Sequence, residues 1–330
     1  MGRLVSVVLV TWDSAAYLPR CLEGLAQQSW PDVELIAVDN ASSDGSVALV
    51  ETVARIVIRN GSNRGFSVAV NQGIAAARGE MVLLLNPDCH LHRDYISRLV
   101  GSLDEAGPDF GSATGKLLGA HGTSIEPAGT IDSMGIRMTR SGRHFDIGQG
   151  ERDTSAPGFD GLRELRGATR EVFGVSGAAA MFRRTFIEDV SIGGEFLDED
   201  FFAYREDADV AWRGRIFGWR ALCEPEAVAW HVRSVTPEKR RALSAAVNMH
   251  GVKNRFMLRI KNEGMALAIR NAPFELARDA VVIAATLTVE RKSFPAIGWL
   301  LRNRRRVLAK RREIQSRRRV GDLDLAGWFQ

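Results

Sequence analysis

Three places in the sequence gather side chains that could do chemistry. The first is Asn86-Pro87-Asp88, which ends the wholly apolar run Met81–Leu85. A carboxylate there emerges at a strand end, where open α/β sheets bind their ligands. A hard divalent cation carrying a diphosphate needs only one or two protein oxygens, because phosphate and water complete its shell. Asn-Pro-Asp is also a good turn, so the triplet alone leaves a cation site and a plain turn both open. The second place is Asp39-Asn40-Ala41-Ser42-Ser43-Asp44-Gly45, after the apolar stretch 33–38. Its oxygens can accept from a base N–H or a ribose hydroxyl, and the following helix offers its first amides. Capping by Ser43 or Asp44 explains part of this cluster, but not Asp39.

The third place, residues 197–209, is the most informative. It interleaves Asp198, Glu199, Asp200, Glu206, Asp207 and Asp209 with Phe201, Phe202 and Tyr204. A solvated acidic run does not normally carry three aromatics. A carboxylate backed by apolar groups and facing a cleft has the surroundings of a general base. Acids also favour the positive end of a helix, so a helix start near Glu206 is a second, compatible account. His231 follows the apolar stretch 227–230; alone, such a histidine is more often structural than a ligand. The other five histidines show neither HxxxH nor HExxH spacing, which disfavours a zinc hydrolase. The small residues of 174–181 require a close neighbour, either backbone or ligand.

The elements that must hold these residues follow from periodicity. Apolar runs at 4–10, 33–38, 56–58 and 81–85 read as buried strands. Helical spacing at 16–27, 44–53 and 65–78 fills the gaps between them. Such strand–helix repeats predict an α/β fold with a mostly parallel, mixed sheet covered on both faces. Residues 108–170, rich in Gly, Ser, Thr and Arg, read as irregular and partly mobile strands and loops. A helix is expected to about residue 217, then two short strands at 219–223 and 227–231. After Pro237 the chain reads as helical to its end.

With 330 residues, 45% hydrophobic and 25% charged, the chain is an ordinary globular one, not disordered or low-complexity. Cys21, Cys89 and Cys223 lie far apart, excluding a disulfide scaffold and fitting a reducing compartment. The first apolar run is too short for a signal peptide, and no stretch approaches the roughly 18 apolar residues of a membrane span; a cytoplasmic protein is expected. No GxGxxG follows the first strand and no GxxxxGK[ST] occurs, against a nicotinamide dehydrogenase or a P-loop NTPase. The net charge of +4 is uneven: ten Lys/Arg and one Glu lie between Arg302 and Arg319. A solvated helix end and a polyanion-binding block are both consistent with that run. A nucleic-acid partner would leave the acids of 198–209 unexplained.

Taken in order, these features resemble the family 2 glycosyltransferases of the GT-A fold, in their rhamnosyltransferase-like branch. The matching segments are residues 5–12, 38–46, Asn63-Arg64-Gly65-Phe66, Asn71-Gln72-Gly73-Ile74, Leu84-Leu85-Asn86-Pro87-Asp88, Ser176-Gly177-Ala178-Ala179, residues 204–209 and His231. The resemblance covers about residues 4–235. It implies a GT-A domain at 1–235 and a helical, basic region at 236–330. It implies that Thr11, Asp39, Arg64 and Asn86 line a nucleotide pocket, and that Asp88 and His231 hold Mg²⁺ or Mn²⁺ on the sugar diphosphate. Asp207 would be the catalytic base of an inverting transfer, with Glu206 and Asp209 supporting it or contacting the acceptor. A nucleotide-sugar donor and a saccharide or polyprenyl-linked acceptor are the implied partners. In this chain Asn86 stands where many relatives have aspartate, and Trp12-Asp13 replaces a more usual Tyr-Asn.

In the C-terminal region, residues 280–287 are apolar but short, which suits an interfacial or half-buried helix better than a span. Together with the basic run this region reads either as an anchor on the anionic inner face of the cytoplasmic membrane or as a helical subdomain. Such a subdomain would close the catalytic domain or form a homodimer.

Overall fold

The computed structural model describes residues 3–153, 168–233, 245–288 and 290–330. Strand and helix alternate through the first part of the chain as the periodicity predicts. In order these are β1 (Val5–Thr11), α1 (Leu18–Ala26), β2 (Val33–Asp39), α2 (Ser46–Glu51), β3 (Ile56–Arg59), α3 (Phe66–Ala76) and β4 (Met81–Leu85). Strands β3, β2, β1 and β4 are parallel neighbours, with Thr11 opposite Asp39 and Leu9 opposite Leu85. Their carboxyl ends therefore open at one edge. Side chains alternate between two cores: Val8, Ile36 and Leu84 meet Val70 of α3, while Val7, Leu35 and Leu83 meet Leu18 of α1. Burial on both faces is why these strands read as unbroken apolar runs. The N-cap of α2 is Gly45, not Ser43 or Asp44; Asp44, one residue earlier, accepts from the Ser46 N–H at 2.9 Å, a local turn bond to the residue two places on.

The turn at residues 86–88 leads into β5 (Cys89–Leu91) and α4 (Tyr95–Ala106). Residues 108–170 depart from expectation. They form two long strands, β6 (Phe110–His121) and β7 (Glu126–Ser133), and the small pair β8 (Ile136–Met138) and β9 (His144–Asp146). Most of β6 is buried, yet its inward residues are small because rings lie directly over it. A Cβ on Gly111 would sit 2.3 Å from the Phe186 ring, and one on Gly115 would sit 2.0 Å from the Ala227 carbonyl oxygen. A central strand built of glycine, serine and alanine carries little hydrophobic signal. The part of the expected loop at 154–167 lies outside the described residues.

The sheet is completed by β10 (Arg170–Val172), β11 (Ala179–Arg183) and β12 (Arg220–His231), with α5 (Arg184–Val190) and α6 (Glu206–Ile216) between the last two strands. β11 runs antiparallel between β4 and β6, and β12 lies parallel to β6. The two short strands expected at 219–223 and 227–231 are one strand, β12, whose register shifts between Glu224 and Val228. That irregularity contains Pro225, which cannot donate to a ladder.

Beyond the boundary expected at 235/236, which lies outside the described residues, the chain is helical: α7 (Ala245–Asn262), α8 (Met265–Thr288), α9 (Pro295–Arg302), α10 (Arg304–Ser316) and α11 (Asp322–Leu325). These helices are bound to the sheet domain through buried charge. Asp209 of α6 is fully buried and accepts from Arg213 Nε at 2.9 Å, Lys261 Nζ at 3.0 Å and Asn262 Nδ2 at 2.7 Å. Asp198 pairs with Lys261 and, at 2.6 Å, with Lys310. Burial opposes ionisation of Asp198, but the two ammonium groups overcome it and hold its carboxyl far below the usual range. The basic run joins the same system: Arg306 pairs with Asp200, Lys310 also meets Glu195 at 3.0 Å, and Arg319 meets Asp189 at 2.7 Å. Much of the run expected as a free cationic block is therefore tied to the domain.

Removing one partner from a buried ion network leaves the others uncompensated. Asp209→Ala is expected to lower the unfolding free energy by about 3–5 kcal/mol, measured by urea denaturation against the parent chain.

Candidate active site

Two adjoining cavities open at the carboxyl edge of the parallel strands. One, of about 300 Å³, is lined by Trp12, Ser14, Asn40, Asn63, Phe66 and His250, among others. The other, of about 410 Å³, is lined by residues including Asp146, Ser176, Glu206, Asp207, His231 and Arg233. Asn86, Asp88 and Tyr204 border both. The structure thus brings Asp88, Asp207 and His231 to one cavity from points far apart in the chain.

Strand register explains the meeting of Asp88 and His231. β5 runs antiparallel to β12 and pairs Cys89 with His231, and the Val232 N–H donates to the Asp88 carbonyl at 3.0 Å. His231 Nε2 then lies 3.4 Å from Asp88 Oδ1, an oxygen with no hydrogen-bond partner among the described residues. The opposite ring nitrogen, Nδ1, lies 2.8 Å from Asp132 Oδ2. Asp132 reaches this point from β7, whose pairing with β6 shifts register between Ser133 and Ile131, so that Asp132 is the extra residue. Arg233 binds the same carboxylate at 2.6 and 3.1 Å and also Asp146 at 2.7 Å.

Titration follows from this crowding. Burial alone would depress the His231 ring, but the hydrogen bond to Asp132 and the nearby Asp88 raise it to about 9. Burial likewise opposes ionisation of Asp132, yet His231 and Arg233 hold its carboxyl below the usual range. At the start of α6, Glu206 and Asp207 behave differently. Burial, then the neighbouring Asp207 charge, pushes Glu206 up to about 8; its Oε2 has no hydrogen-bond partner among the described residues. Burial, then the Asp146 charge, pushes Asp207 up to about 6, although the Ala208 N–H donates to it at 2.7 Å. Near neutral pH, Glu206 is thus the protonated acid and Asp207 the ionised one, an arrangement that separates two neighbouring carboxylates into different roles.

A divalent cation fits the pair Asp88 and His231. One carboxylate oxygen without a partner and one imidazole nitrogen face each other, and the cavity beside them has room for phosphate oxygens and water. Cys89 is also close, but burial keeps its thiol protonated and its Sγ faces the Ala178 carbonyl. The donors at hand are therefore those of a hard or borderline cation.

The segment before α6 forms the cavity wall in an unusual backbone. Phe202, Tyr204 and Arg205 all have positive φ, between 66° and 75°, each a conformation costing of order 1–3 kcal/mol. Asn254 of α7 holds the segment by donating to the carbonyls of Phe201, Ala203 and Tyr204 at 2.8–3.0 Å. Opposite it, a Cβ on Gly65 (φ +89°) would sit 2.6 Å from the Phe202 ring. Only glycine permits both that backbone and that approach.

The other expected residues are more dispersed. Asn86 lines both cavities. Thr11 and Asp39 are buried beneath the smaller one, with Thr11 Oγ1 donating to Asp39 at 3.0 Å. Arg64 is exposed, between the lining residues Asn63 and Gly65, and its backbone N–H points to Asn40 Oδ1 at 3.4 Å. Asp209 faces α7 within the buried ion network instead of the cavity. Asp132, Asp146, Arg233, His250 and Asn254 were not anticipated. Arg233 had a signal, since residues two apart on extended chain share a face with His231. Asp132 and Asp146 had none, lying in the stretch without periodicity.

Residues 6–191 match the family described as Glycosyl transferase family 2. The chain belongs to that family. A putative glycosyltransferase EpsH of Bacillus subtilis (strain 168) is 30% identical over 100 residues, 29% of each chain. An N-acetylglucosaminyl-diphospho-decaprenol L-rhamnosyltransferase of Mycobacterium tuberculosis is 29% identical over 250 residues, 70% of this chain and 76% of that protein. The chain spans less than half the length of the first curated relatives it matches. Among solved structures, the mannosyltransferase PcManGT from Pyrobaculum calidifontis, in complex with GDP-Man and Mn²⁺, aligns with a TM-score of 0.52 at 18% identity, over 99% of this chain and 88% of that one. The fold is GT-A.

Because Asp146 raises Asp207 while its partner Arg233 lowers it, Asp146→Asn acts twice in the same direction. Carboxylate ¹³C NMR is expected to place Asp207 near 6 in the parent chain and lower in the variant.

Proposed function

We propose that the chain is an inverting, metal-dependent glycosyltransferase that moves a sugar from a nucleoside-diphosphate donor to a hydroxyl of a saccharide or polyprenyl-diphosphate-linked saccharide. The observation that carries this reading is the shared cavity of Asp88, Asp207 and His231, joined to a second cavity of about 300 Å³ lined by Trp12, Asn40 and Asn63 among others. Asp88 and His231 would hold Mg²⁺ or Mn²⁺; such a cation supplies Lewis-acid stabilisation of the charge that develops on the departing diphosphate. Trp12, more than half exposed at the smaller cavity, offers a ring face to the base. Asn40 and Asn63 add polar groups at the same cavity.

Asp207, ionised near neutral pH, takes the proton from the acceptor hydroxyl as that oxygen bonds to the anomeric carbon. The bond from that carbon to the phosphate oxygen breaks, and its electron pair leaves with the nucleoside diphosphate. A single displacement inverts the anomeric configuration. Glu206, protonated beside it, adds no second negative charge to the acceptor pocket. The donor proposed first is dTDP-L-rhamnose, supported by the Asn-Pro-Asp form of the strand-end triplet and by the mycobacterial rhamnosyltransferase relative. A UDP-sugar is the second reading, since S. aureus TarS, a structural neighbour, is solved with UDP. Synthesis of cell-envelope polysaccharide at the inner face of the cytoplasmic membrane is the proposed setting.

A panel of dTDP-, UDP- and GDP-sugars with Mg²⁺ or Mn²⁺, read by nucleoside diphosphate release, tests the reading directly. Asp207→Asn is expected to slow turnover by about 10²–10⁴-fold while nucleotide affinity, measured by calorimetry, stays within about twofold. A fully active variant would remove Asp207 from the base role.

A further inference from the structure

Helix α8 is built inside out. Its buried residues Leu267, Asn271, Glu275 and Thr286 include three polar ones, and the half-buried Asp279 turns the same way. Glu275 and Asp279 meet Arg259 and Arg255 of α7, with Arg259 Nη1 3.2 Å from Glu275 and Arg255 Nη2 3.0 Å from Asp279. A flanking face, roughly a third of a turn round from the buried one, carries Met265, Ile269, Leu276, Ile283 and Leu287, at spacings of 4, 7, 7 and 4 residues, which keep one helical stripe. These five are 40–73% exposed. In water such a helix would normally be turned around.

The exposed charge along this part of the chain is mostly of one sign; the exposed acid nearby is Asp324 of α11, a helix that packs against the start of α8. Over residues 264–305, the exposed ionic side chains among the described residues are Arg270, Arg291, Lys292, Arg302, Arg304 and Arg305. The three acids in that span, Glu275, Asp279 and Glu290, are buried or half-buried. An apolar stripe accompanied mainly by cations complements an anionic lipid surface. A second copy across a twofold axis would set the same cations against one another. No helix is long and apolar enough to cross a membrane among the described residues, and the polar, ion-paired inner face excludes insertion across one.

We infer that α8 lies flat in the interface of an anionic membrane, its 24 residues presenting a stripe about 36 Å long, with its own exposed Arg270 and the exposed Arg291 and Lys292 of the adjoining turn beside it. The expected anchor combined the apolar segment 280–287 with the basic run; it narrows to α8, which contains that segment, because much of the basic run is tied to the domain. Because α7 carries both Asn254, which holds the cavity wall, and the arginines that hold α8, the cavity has a fixed position relative to that surface. The inference deepens the proposed function by naming where a lipid-linked acceptor is met, and it rests on that reading only for the acceptor.

The full chain is floated with phosphatidylcholine vesicles with and without about 30% phosphatidylglycerol; binding is expected to be at least about tenfold tighter with the anionic lipid. The variant Ile269→Glu/Leu276→Glu/Ile283→Glu is expected to lose at least about tenfold of that binding. Its circular dichroism and its nucleotide affinity should match the parent's. Arg291→Glu/Lys292→Glu, which leaves the stripe and the fold intact, should weaken anionic but not neutral binding. Absence of anionic binding by the parent, or parent-like binding by the triple variant, overturns the inference. A parent dimer that the triple variant converts to monomer in sedimentation assigns the face to a second copy and overturns it also. No turnover is needed in any arm, so failure here leaves the donor assay to judge the proposed reaction separately.

Discussion

The rest of the structure depends on holding several carboxylates together at one end of a sheet. Asp88, Asp132, Asp146, Glu206 and Asp207 border or adjoin the same cavity, and among the described residues lining it His231, Arg233 and Arg205 stand with them as cations, burial keeping His144 neutral. Unrelieved, such a group would repel itself apart or protonate. The chain answers by dividing it. Asp132 is satisfied outright by His231 and Arg233, Glu206 gives up its charge to burial, and Asp207 keeps its charge at the cost of a raised titration point. Asp88, like Glu206, presents a buried oxygen without a hydrogen-bond partner among the described residues, and the Asp88 oxygen is the one that faces His231. Each carboxylate is chemically the same group, and position alone makes them different.

Holding that arrangement needs more than the sheet. The wall that leads into α6 includes three left-handed residues, and its carbonyls are held from outside the sheet: Asn254 of α7 donates to those of Phe201, Ala203 and Tyr204, and the Ser67 N–H to that of Phe202. The same α7 sends Lys261 and Asn262 under α6 to Asp209. The C-terminal helices are therefore a brace for the acidic segment as well as an appendage. An acidic run that looked like one chemical unit is split by them. Asp198, Asp200 and Asp209 face the helices and their lysines and arginines, while Glu206 and Asp207 face the cavity.

How legible the protein was in its sequence varies along the chain for physical reasons. Strands β1, β2 and β4 are buried on both faces, so their apolar runs could be placed within a residue or two. The chemistry of Asn86-Pro87-Asp88 and of residues 204–209 was readable because strand ends and helix starts are where polar groups must be explained. β6 was hard to see because its first half, Gly-Ser-Ala-Thr-Gly, is small where neighbouring groups close over it, and its buried Phe110 and Leu117 are too far apart to form an apolar run. The single strand β12 looked like two because its bulge contains a proline.

Residue types and local period determined by themselves that this is an alternating α/β chain with carboxylates at the sheet's ligand edge and a cationic helical end. Those properties are set by what each short segment buries. Which acid faces which cation is a different matter. The partnership of His231 with Asp132, the turning of Asp209 away from the cavity and the outward apolar face of α8 depend on a bulge, a helix rotation and contacts between segments up to a hundred residues apart. Sequence spacing carries no record of such long-range geometry, so only the assembled fold could decide it.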